Sequence, residues 1–114
     1  MSIVYVVQQQ LHKDTSGILV PKFDLTDATR YGKIEFVLNT DDSAAMPKGK
    51  LMNRLQDRLQ RITDEDYILP IGSPIMISMV SVVASFYVDN LNFLYWNRRA
   101  QEYWVESFEL PIVQ

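Results

Sequence analysis

The chain has 114 residues, of which 47% are hydrophobic and 22% charged, so the composition predicts one folded domain, residues 1–114, and excludes a disordered protein. It contains no cysteine, which excludes disulfides, thiolate metal sites and cysteine nucleophiles. The net charge of −3 has the wrong sign for a general nucleic-acid binder, and the basic residues concentrate in the first half: residues 1–63 carry 9 basic and 7 acidic residues, and residues 64–114 carry 2 and 7.

The first third of the chain predicts two strands with a short helix between them. Ile3–Val7 is rich in β-branched residues, which favours a strand, and a polar loop follows it. Residues 24–31 are expected to form a short helix that Gly32 ends. Lys33–Leu38 first alternates charged and apolar residues and then becomes fully apolar, which predicts a second strand.

The clearest helix is predicted over residues 47–62. Leu51, Leu55, Leu59 and Ile62 are spaced by four, four and three positions, so they share one helical face and are expected to contact a core. The rest of this helix is mostly basic and is expected to face solvent. Its basic residues are Lys48, Lys50, Arg54, Arg58 and Arg61.

A buried strand and an apolar helix are predicted next. The short apolar run 67–71 is typical of a strand that is covered on both faces. Ser73 is expected to cap the helix 74–88, with Pro74 at its first position. Residues 67–88 carry no charge, but proline and glycine interrupt their first third, so we expect a core helix and no membrane span.

The C-terminal segment predicts a β-hairpin, with strands over 91–96 and 102–110. The central order of strand, helix, strand, helix, strand favours parallel pairing with right-handed crossovers. We therefore expect an α/β fold: one mixed sheet of about five strands with two main helices and a C-terminal β-hairpin. A two-layer α+β sandwich is the alternative.

Three segments resemble parts of known sites, and each has a simpler structural explanation. Gly72-Ser73-Pro74 precedes a helix as a phosphate-binding turn does, but it lacks the further glycines and the Lys-Ser/Thr pair. Asp64-Glu65-Asp66 lacks the spacing of a calcium loop and is expected to be a solvated turn. His12 is the single histidine and is expected to be an exposed loop residue. The sequence thus predicts no catalytic residues, no metal site, no cofactor and no enzyme activity.

The terminal hairpin carries the best candidate contact residues. Aromatic and arginine side chains concentrate around its turn, and such residues are enriched at protein–protein hot spots. The candidates are Trp96, Arg98, Arg99, Tyr103 and Trp104. A second contact is expected on the helix 74–88, whose almost wholly apolar surface suggests a homodimer. A narrow stripe of serines runs along one face of that helix, at Ser78, Ser81 and Ser85.

Three segments together resemble small proteins encoded by tailed bacteriophages. They are Ile3–Val7, residues 66–74 and the Leu94-Tyr95-Trp96-Asn97-Arg98 stretch with Tyr103. That group has a Gly-Asp/Asn-Pro turn and a Trp-Asp-Arg turn, from which this chain departs at Ser73 and Asn97. The resemblance brings no catalytic residues, and it implies a small phage protein that acts by binding.

These observations lead to one functional hypothesis and two alternatives. The first is a non-enzymatic protein-interaction module of a phage, located in the bacterial cytoplasm, that binds and modulates a host protein, such as an enzyme. The second is a nucleic-acid-binding module that uses the basic helix 47–62. The third is a small nucleotide or phosphate binder at Gly72–Pro74.

Overall fold

The computed structural model describes residues 1–43 and 45–111. The strands are β1 Ile3–Gln8, β2 Leu11–Lys13, β3 Leu19–Pro21, β4 Lys33–Leu38, β5 Tyr67–Leu69, β6 Asn90–Asn97 and β7 Glu102–Glu109. The helices are α1 Lys48–Leu59, α2 Pro74–Ala84 and a 3-10 helix at Asp27–Arg30.

Five strands form one mixed sheet in the order β4-β1-β5-β6-β7. The first four are mutually parallel where they pair, and β7 runs antiparallel to β6. The connections through α1 and α2 both move the chain toward β6, so right-handed crossovers place both helices on one face of the sheet, which we call the helix side. The connection from β1 to β4 moves the other way and crosses the opposite face, which we call the loop side. This architecture confirms the predicted mixed α/β sheet.

The helix side holds the larger core. The predicted periodicity of α1 is confirmed, since Leu51, Leu55 and Leu59 are fully buried. They pack in one cluster with Val80 and Val83 of α2 and with side chains of the sheet. The helices thus cover the β4 and β1 end of the sheet, and α1 packs against α2.

The loop side holds a smaller core that no α-helix covers. Val4, Val6, Leu69 and Leu94 are buried there together with Ala28 of the 3-10 helix. The predicted short helix over 24–31 is therefore only four residues long, and it ends near Gly32 as expected. Gly32 also permits a close approach of the chain, because a Cβ at this position would lie 2.3 Å from the carbonyl oxygen of Ser2.

The polar loop after β1 contains a short β-hairpin that the sequence did not predict. Strands β2 and β3 pair antiparallel, with Lys13 opposite Leu19. The carboxylate of Asp14 accepts hydrogen bonds from the N–H groups of Ser16 and Ile18, and Gly17 takes a φ of 81°. These local bonds stabilise the turn, which the polar composition of the segment does not reveal.

The start of α2 agrees with the prediction and its end does not. Ser73 is the N-cap, and its hydroxyl oxygen accepts a hydrogen bond from Met76 N at 3.3 Å, with Pro74 at the first helical position. The helix ends at Ala84, four residues before the predicted end, where the N–H groups of Phe86 and Tyr87 bond three residues back and tighten the chain into a turn. Among the described residues no helix is both long and apolar enough to cross a bilayer.

Candidate protein-interaction surface

The hairpin of β6 and β7 is closed by a turn that its own polar side chains hold. The Asn97 side-chain oxygen accepts a hydrogen bond from Ala100 N at 2.8 Å, and Gln101 Nε2 donates to the carbonyl oxygen of Arg98 at 2.6 Å. Gln101 takes a φ of 56°, which lets the chain reverse. An aspartate at position 97 could accept the same bond, so the departure from the Trp-Asp-Arg pattern keeps the turn.

The register of the hairpin decides which side chains share a face. Leu94 pairs with Val105 and Trp96 with Tyr103, and this set lies on the loop side, because Leu94 and Tyr103 belong to its core. Neighbouring positions along each strand point the opposite way. Tyr95 and its partner Trp104 therefore lie on the helix side, together with Phe93 and Phe108.

The helix side of the hairpin carries four aromatic rings, which we call the aromatic face: Phe93, Tyr95, Trp104 and Phe108. The rings of Phe93 and Phe108 are 5.9 Å apart, and those of Tyr95 and Trp104 are 6.4 Å apart, both edge to face. The helices lie over the other end of the sheet, so this face stays open: Tyr95 is 41% exposed, Trp104 42% and Phe108 51%. Clustered exposed aromatics of this kind mark interaction sites in folded proteins.

Near the tip of the hairpin, the backbone of Tyr103 forms hydrogen bonds with side chains of residues 27–31 on the loop side. Asp27 accepts a hydrogen bond from Tyr103 N at 2.6 Å. The Tyr103 carbonyl oxygen accepts one from Arg30 Nη2 at 2.6 Å and one from the Tyr31 hydroxyl at 2.5 Å. Burial raises the pKa of the Tyr103 phenol, and the Asp24 and Asp27 carboxylates raise it further. The 3-10 helix therefore holds the hairpin in place.

The structure separates the five predicted contact residues. Trp96 and Trp104 are each 42% exposed, but they lie on opposite faces. Tyr103 is only 5% exposed, and its ring packs under Trp96 at a centroid distance of 5.0 Å. Arg98 and Arg99 are exposed at the tip. Only Trp104 of this set belongs to the aromatic face.

Tyr95 and Phe108 also lie on the surface, and neither is among the five predicted contact residues. The alternation of the hairpin places Tyr95 beside Phe93, and the strand register adds Phe108 to that side. What the alternation does not show is that the helices leave this end of the sheet uncovered. That fact depends on the directions of the crossovers.

The basic residues of the predicted helix 47–62 do not form a uniform free surface, and Arg61 lies beyond the end of α1 at Leu59. Arg54 forms an ion pair with the carboxylate of Asp42, whose side chain is 4% exposed. Arg58 donates a hydrogen bond to the carbonyl oxygen of Val37 at 3.0 Å. Lys48, Lys50 and Arg61 are exposed. Two of the five residues predicted to contact nucleic acid, Arg54 and Arg58, are thus bonded within the protein, to the loop after β4 and to β4 itself.

The acidic turn after α1 is solvated at Asp64 and Glu65, as expected, but the prediction is wrong for Asp66, which is buried. Asp66 is 5% exposed, and Asp64 accepts a hydrogen bond from Asp89 N at 2.8 Å. The carboxylates of Asp64 and Asp66 accept hydrogen bonds from backbone N–H groups, which explains their position between α1 and β5. No group of three or more histidine, cysteine or acidic residues within residues 1–43 and 45–111 is arranged to hold a metal ion. His12 is exposed, as expected, but it lies in strand β2.

A cavity of about 600 Å³ lies where β1 and β5 end on the loop side. Its walls are mostly apolar, and no lysine or arginine is among them. The lining residues are Val6, Gln8, Gln9, Gln10, Leu11, Pro21, Phe23, Asp24, Leu25, Thr26, Thr29, Phe36 and Ile71. The turn at Gly72-Ser73-Pro74 adds no basic group to this wall, and the Ser73 hydroxyl is used to cap α2. Among the described residues that line the cavity, none carries a positive charge that could pair with a phosphate.

The hydroxyl groups of the serine stripe of α2 donate their hydrogen bonds to backbone carbonyl oxygens of the same helix. The hydroxyls of Ser78, Ser81 and Ser85 donate to the carbonyl oxygens of Pro74, Ile77 and Val82 at 2.9, 2.8 and 2.6 Å. Ile75 and Val82 are 51% and 55% exposed on this helix. The expected homodimer contact through residues 74–88 stays a prediction.

The comparisons with known proteins agree with the resemblance seen in the sequence. A family model described as phage Pam3 gp32-like protein matches residues 2–110. This match spans the sheet, both helices and the hairpin, and it confirms the expected relation to small phage proteins. No curated protein and no solved structure matches the chain.

Proposed function

Because the chain belongs to the phage Pam3 gp32-like protein family, we propose that it is a phage protein that binds and modulates a protein of the host cell and has no enzymatic activity of its own. Its place of action in this proposal is the bacterial cytoplasm. The observation that supports it is the open aromatic face on the helix side of the hairpin.

The aromatic face has the composition and setting of a protein contact. Tryptophan and tyrosine contribute large contact areas with few rotatable bonds, and both are enriched among the residues that dominate binding energies. Tyr95 and Trp104 contact each other across the strands and each leave about two fifths of their surface open. A partner that covers all four rings of the aromatic face would also shield Phe108, which contacts Phe93, from water. The exposed Arg98 and Arg99 lie at the tip of the same hairpin and extend the proposed contact.

The test is affinity capture from host lysate with a pair of matched tryptophan variants. Trp104→Ala removes a ring from the aromatic face, and Trp96→Ala removes a ring with the same 42% exposure from the opposite face. The proposal expects one host protein to be captured at a stoichiometric level, resistant to nuclease and salt. It expects Trp104→Ala to abolish this capture and Trp96→Ala to keep it.

Three results would count against the proposal or against part of its contact surface. Equal loss in both tryptophan variants would mean that the hairpin acts only through stability. Recovery of nucleic acid alone, lost at high salt, would favour the alternative in which the basic helix 47–62 contacts phosphates. Capture that the Arg98→Ala/Arg99→Ala double variant leaves unchanged would remove the tip from the contact.

A further inference from the structure

The outer edge of β7 is capped at one end and open at the other. The backbone N–H and C=O of Tyr103 face away from β6, since they bond to Asp27, Arg30 and Tyr31. Backbone groups alternate in direction along an antiparallel strand, so those of Val105, Ser107 and Glu109 face the same outer edge. Within residues 1–43 and 45–111, no hydrogen bond reaches these outward groups. Three consecutive outward positions are therefore free to pair with another strand.

The opposite edge of the sheet is treated differently. There the Arg58 guanidinium of α1 bonds to the carbonyl oxygens of Phe36 and Val37 in β4, and α1 packs beside this strand. Natural sheets cover or charge their edges because an open edge pairs with other chains. The chain covers β4 with a helix and leaves residues 105–109 of β7 open, beside the aromatic face.

The charges along the open edge are all negative. Glu106 and Glu109 are exposed, and no described cation pairs with either carboxylate. Glu106 lies on the helix side with Trp104 and Phe108, and Glu109 lies on the loop side. A strand that pairs here thus meets carboxylates on both of its faces. Complementary charges across strands favour pairing, and like charges oppose it.

We propose that residues 105–109 bind an extended basic segment of the partner protein, which adds to the sheet as a sixth strand. This inference rests on the proposed function and defines the chemistry of its partner. The backbone supplies the pairing groups, and the glutamates select lysine or arginine side chains in the incoming strand. A second copy of this chain fits less well, because its own Glu106 and Glu109 would bring four carboxylates to one strand pair.

The edge can be blocked without disturbing the pairing of β7 with β6. Ser107→Pro removes an outward N–H, and proline is tolerated at such edge positions. Ser107→Ala is the matched control, because it removes only the hydroxyl that donates to Asn92 Oδ1 at 2.7 Å. The probe is a short synthetic peptide of alternating lysine and valine residues. Its controls are the glutamate–valine peptide and a lysine–valine peptide with a methylated backbone.

Titration calorimetry on the full chain should show binding of the lysine–valine peptide and no binding of either control peptide. Ser107→Pro should weaken this binding by at least about tenfold, because a backbone hydrogen bond is lost and the ring obstructs the strand. Ser107→Ala should bind as the unaltered chain does. A folded Ser107→Pro variant, checked by circular dichroism, that binds the peptide normally overturns the inference.

Two further outcomes separate this inference from the proposed function. Host-protein capture that Trp104→Ala abolishes and Ser107→Pro leaves intact would keep the aromatic face as the contact and overturn strand addition. A dimer seen in sedimentation and lost in Ser107→Pro would show that a second copy occupies the edge, which also overturns it.

Discussion

The buried carboxylate of Asp66 accepts a hydrogen bond from the backbone N–H of Ile3 at 2.8 Å, across 63 positions of sequence. Its other oxygen accepts bonds from Thr63 N at 2.8 Å and Thr63 Oγ1 at 3.2 Å. One side chain therefore joins the start of β1 to the turn that leads into β5. These are neighbouring strands at the centre of the sheet, so the Asp66 carboxylate helps to set the register of β5 against β1.

Replacing Asp66 with alanine is expected to destabilise the fold by about 2–4 kcal/mol, because buried backbone donors lose their acceptor. Urea denaturation followed by circular dichroism measures this change. Glu65→Ala is the control, since Glu65 is exposed on the same turn. Equal midpoints for the two variants would contradict a structural role for the Asp66 carboxylate.

A second prediction concerns the ion pair between Arg54 and Asp42. Asp42 is 7% exposed, and its Oδ2 accepts a hydrogen bond from Asn39 N at 2.7 Å. Arg54→Ala leaves this carboxylate without its cation, and we expect a loss of about 1–3 kcal/mol, below the usual cost of breaking a buried pair because Arg54 is partly exposed. Lys50→Ala should change the stability little.

Urea denaturation of both variants measures this difference, and nucleic-acid binding can be measured on the same samples. If α1 served mainly to bind phosphates, both substitutions would weaken binding and neither would lower stability. A stability loss confined to Arg54→Ala supports the structural role.

The patterns that repeat along the chain predicted the fold well, and single long-range contacts were not predictable. The spacing of Leu51, Leu55 and Leu59 predicted the buried face of α1, and the apolar run 67–71 predicted a buried strand. The role of Asp66 depends on a partner 63 positions away, and no local pattern marks it. A run of three acidic residues usually faces solvent, so composition favoured the wrong environment for Asp66.

The sequence predicted the position of the candidate contact residues along the chain, but not which of them are buried or which face each one occupies. Aromatic and arginine content placed the predicted contact residues on the hairpin, where the structure shows exposed aromatic side chains. Whether Tyr103 is buried depends on the 3-10 helix, which reaches it from more than seventy positions away. The sequence thus shows which residues alternate along a strand. Which end of the sheet the helices cover depends instead on the order of the strands and the directions of the crossovers, which involve the whole chain.

A third prediction tests the attachment of the hairpin to the 3-10 helix. Asp27→Ala removes the acceptor of the Tyr103 N–H, which is then expected to exchange with solvent faster. Hydrogen exchange measured by NMR should show the change at Tyr103 and not at Leu94, which is fully buried within the sheet. Unchanged protection at Tyr103 would mean that Arg30 and Tyr31 hold the hairpin alone.

A fourth prediction concerns the cap of α2. The Ser73 hydroxyl oxygen accepts a hydrogen bond from Met76 N, so Ser73→Ala should cost about 1 kcal/mol. Ser78→Ala is the control, because its hydroxyl bonds only to a carbonyl oxygen within the same helix, at Pro74. Thermal unfolding of the two variants should differ, with Ser73→Ala melting lower. Equal melting temperatures would rule out an energetic role for the cap.

The last prediction concerns alkaline pH. Burial, together with the carboxylates of Asp66 and Glu35, raises the pKa of the Tyr5 phenol from 10.0 to about 12, although Arg61 acts to lower it. Since the unfolded chain loses this proton first, the contribution of Tyr5 to stability is complete below pH 10 and is lost as the pH rises through about 12. Tyr5→Phe cannot ionise, so the stability difference between the unaltered chain and this variant should shift toward the variant across that interval. Urea denaturation at a series of pH values measures this difference in stability.

The other tyrosines with raised pKa values, Tyr31 and Tyr103, are present in both proteins, so their effects cancel in the difference. A difference that stays constant with pH would mean that Tyr5 ionises as readily in the folded chain as in the unfolded one.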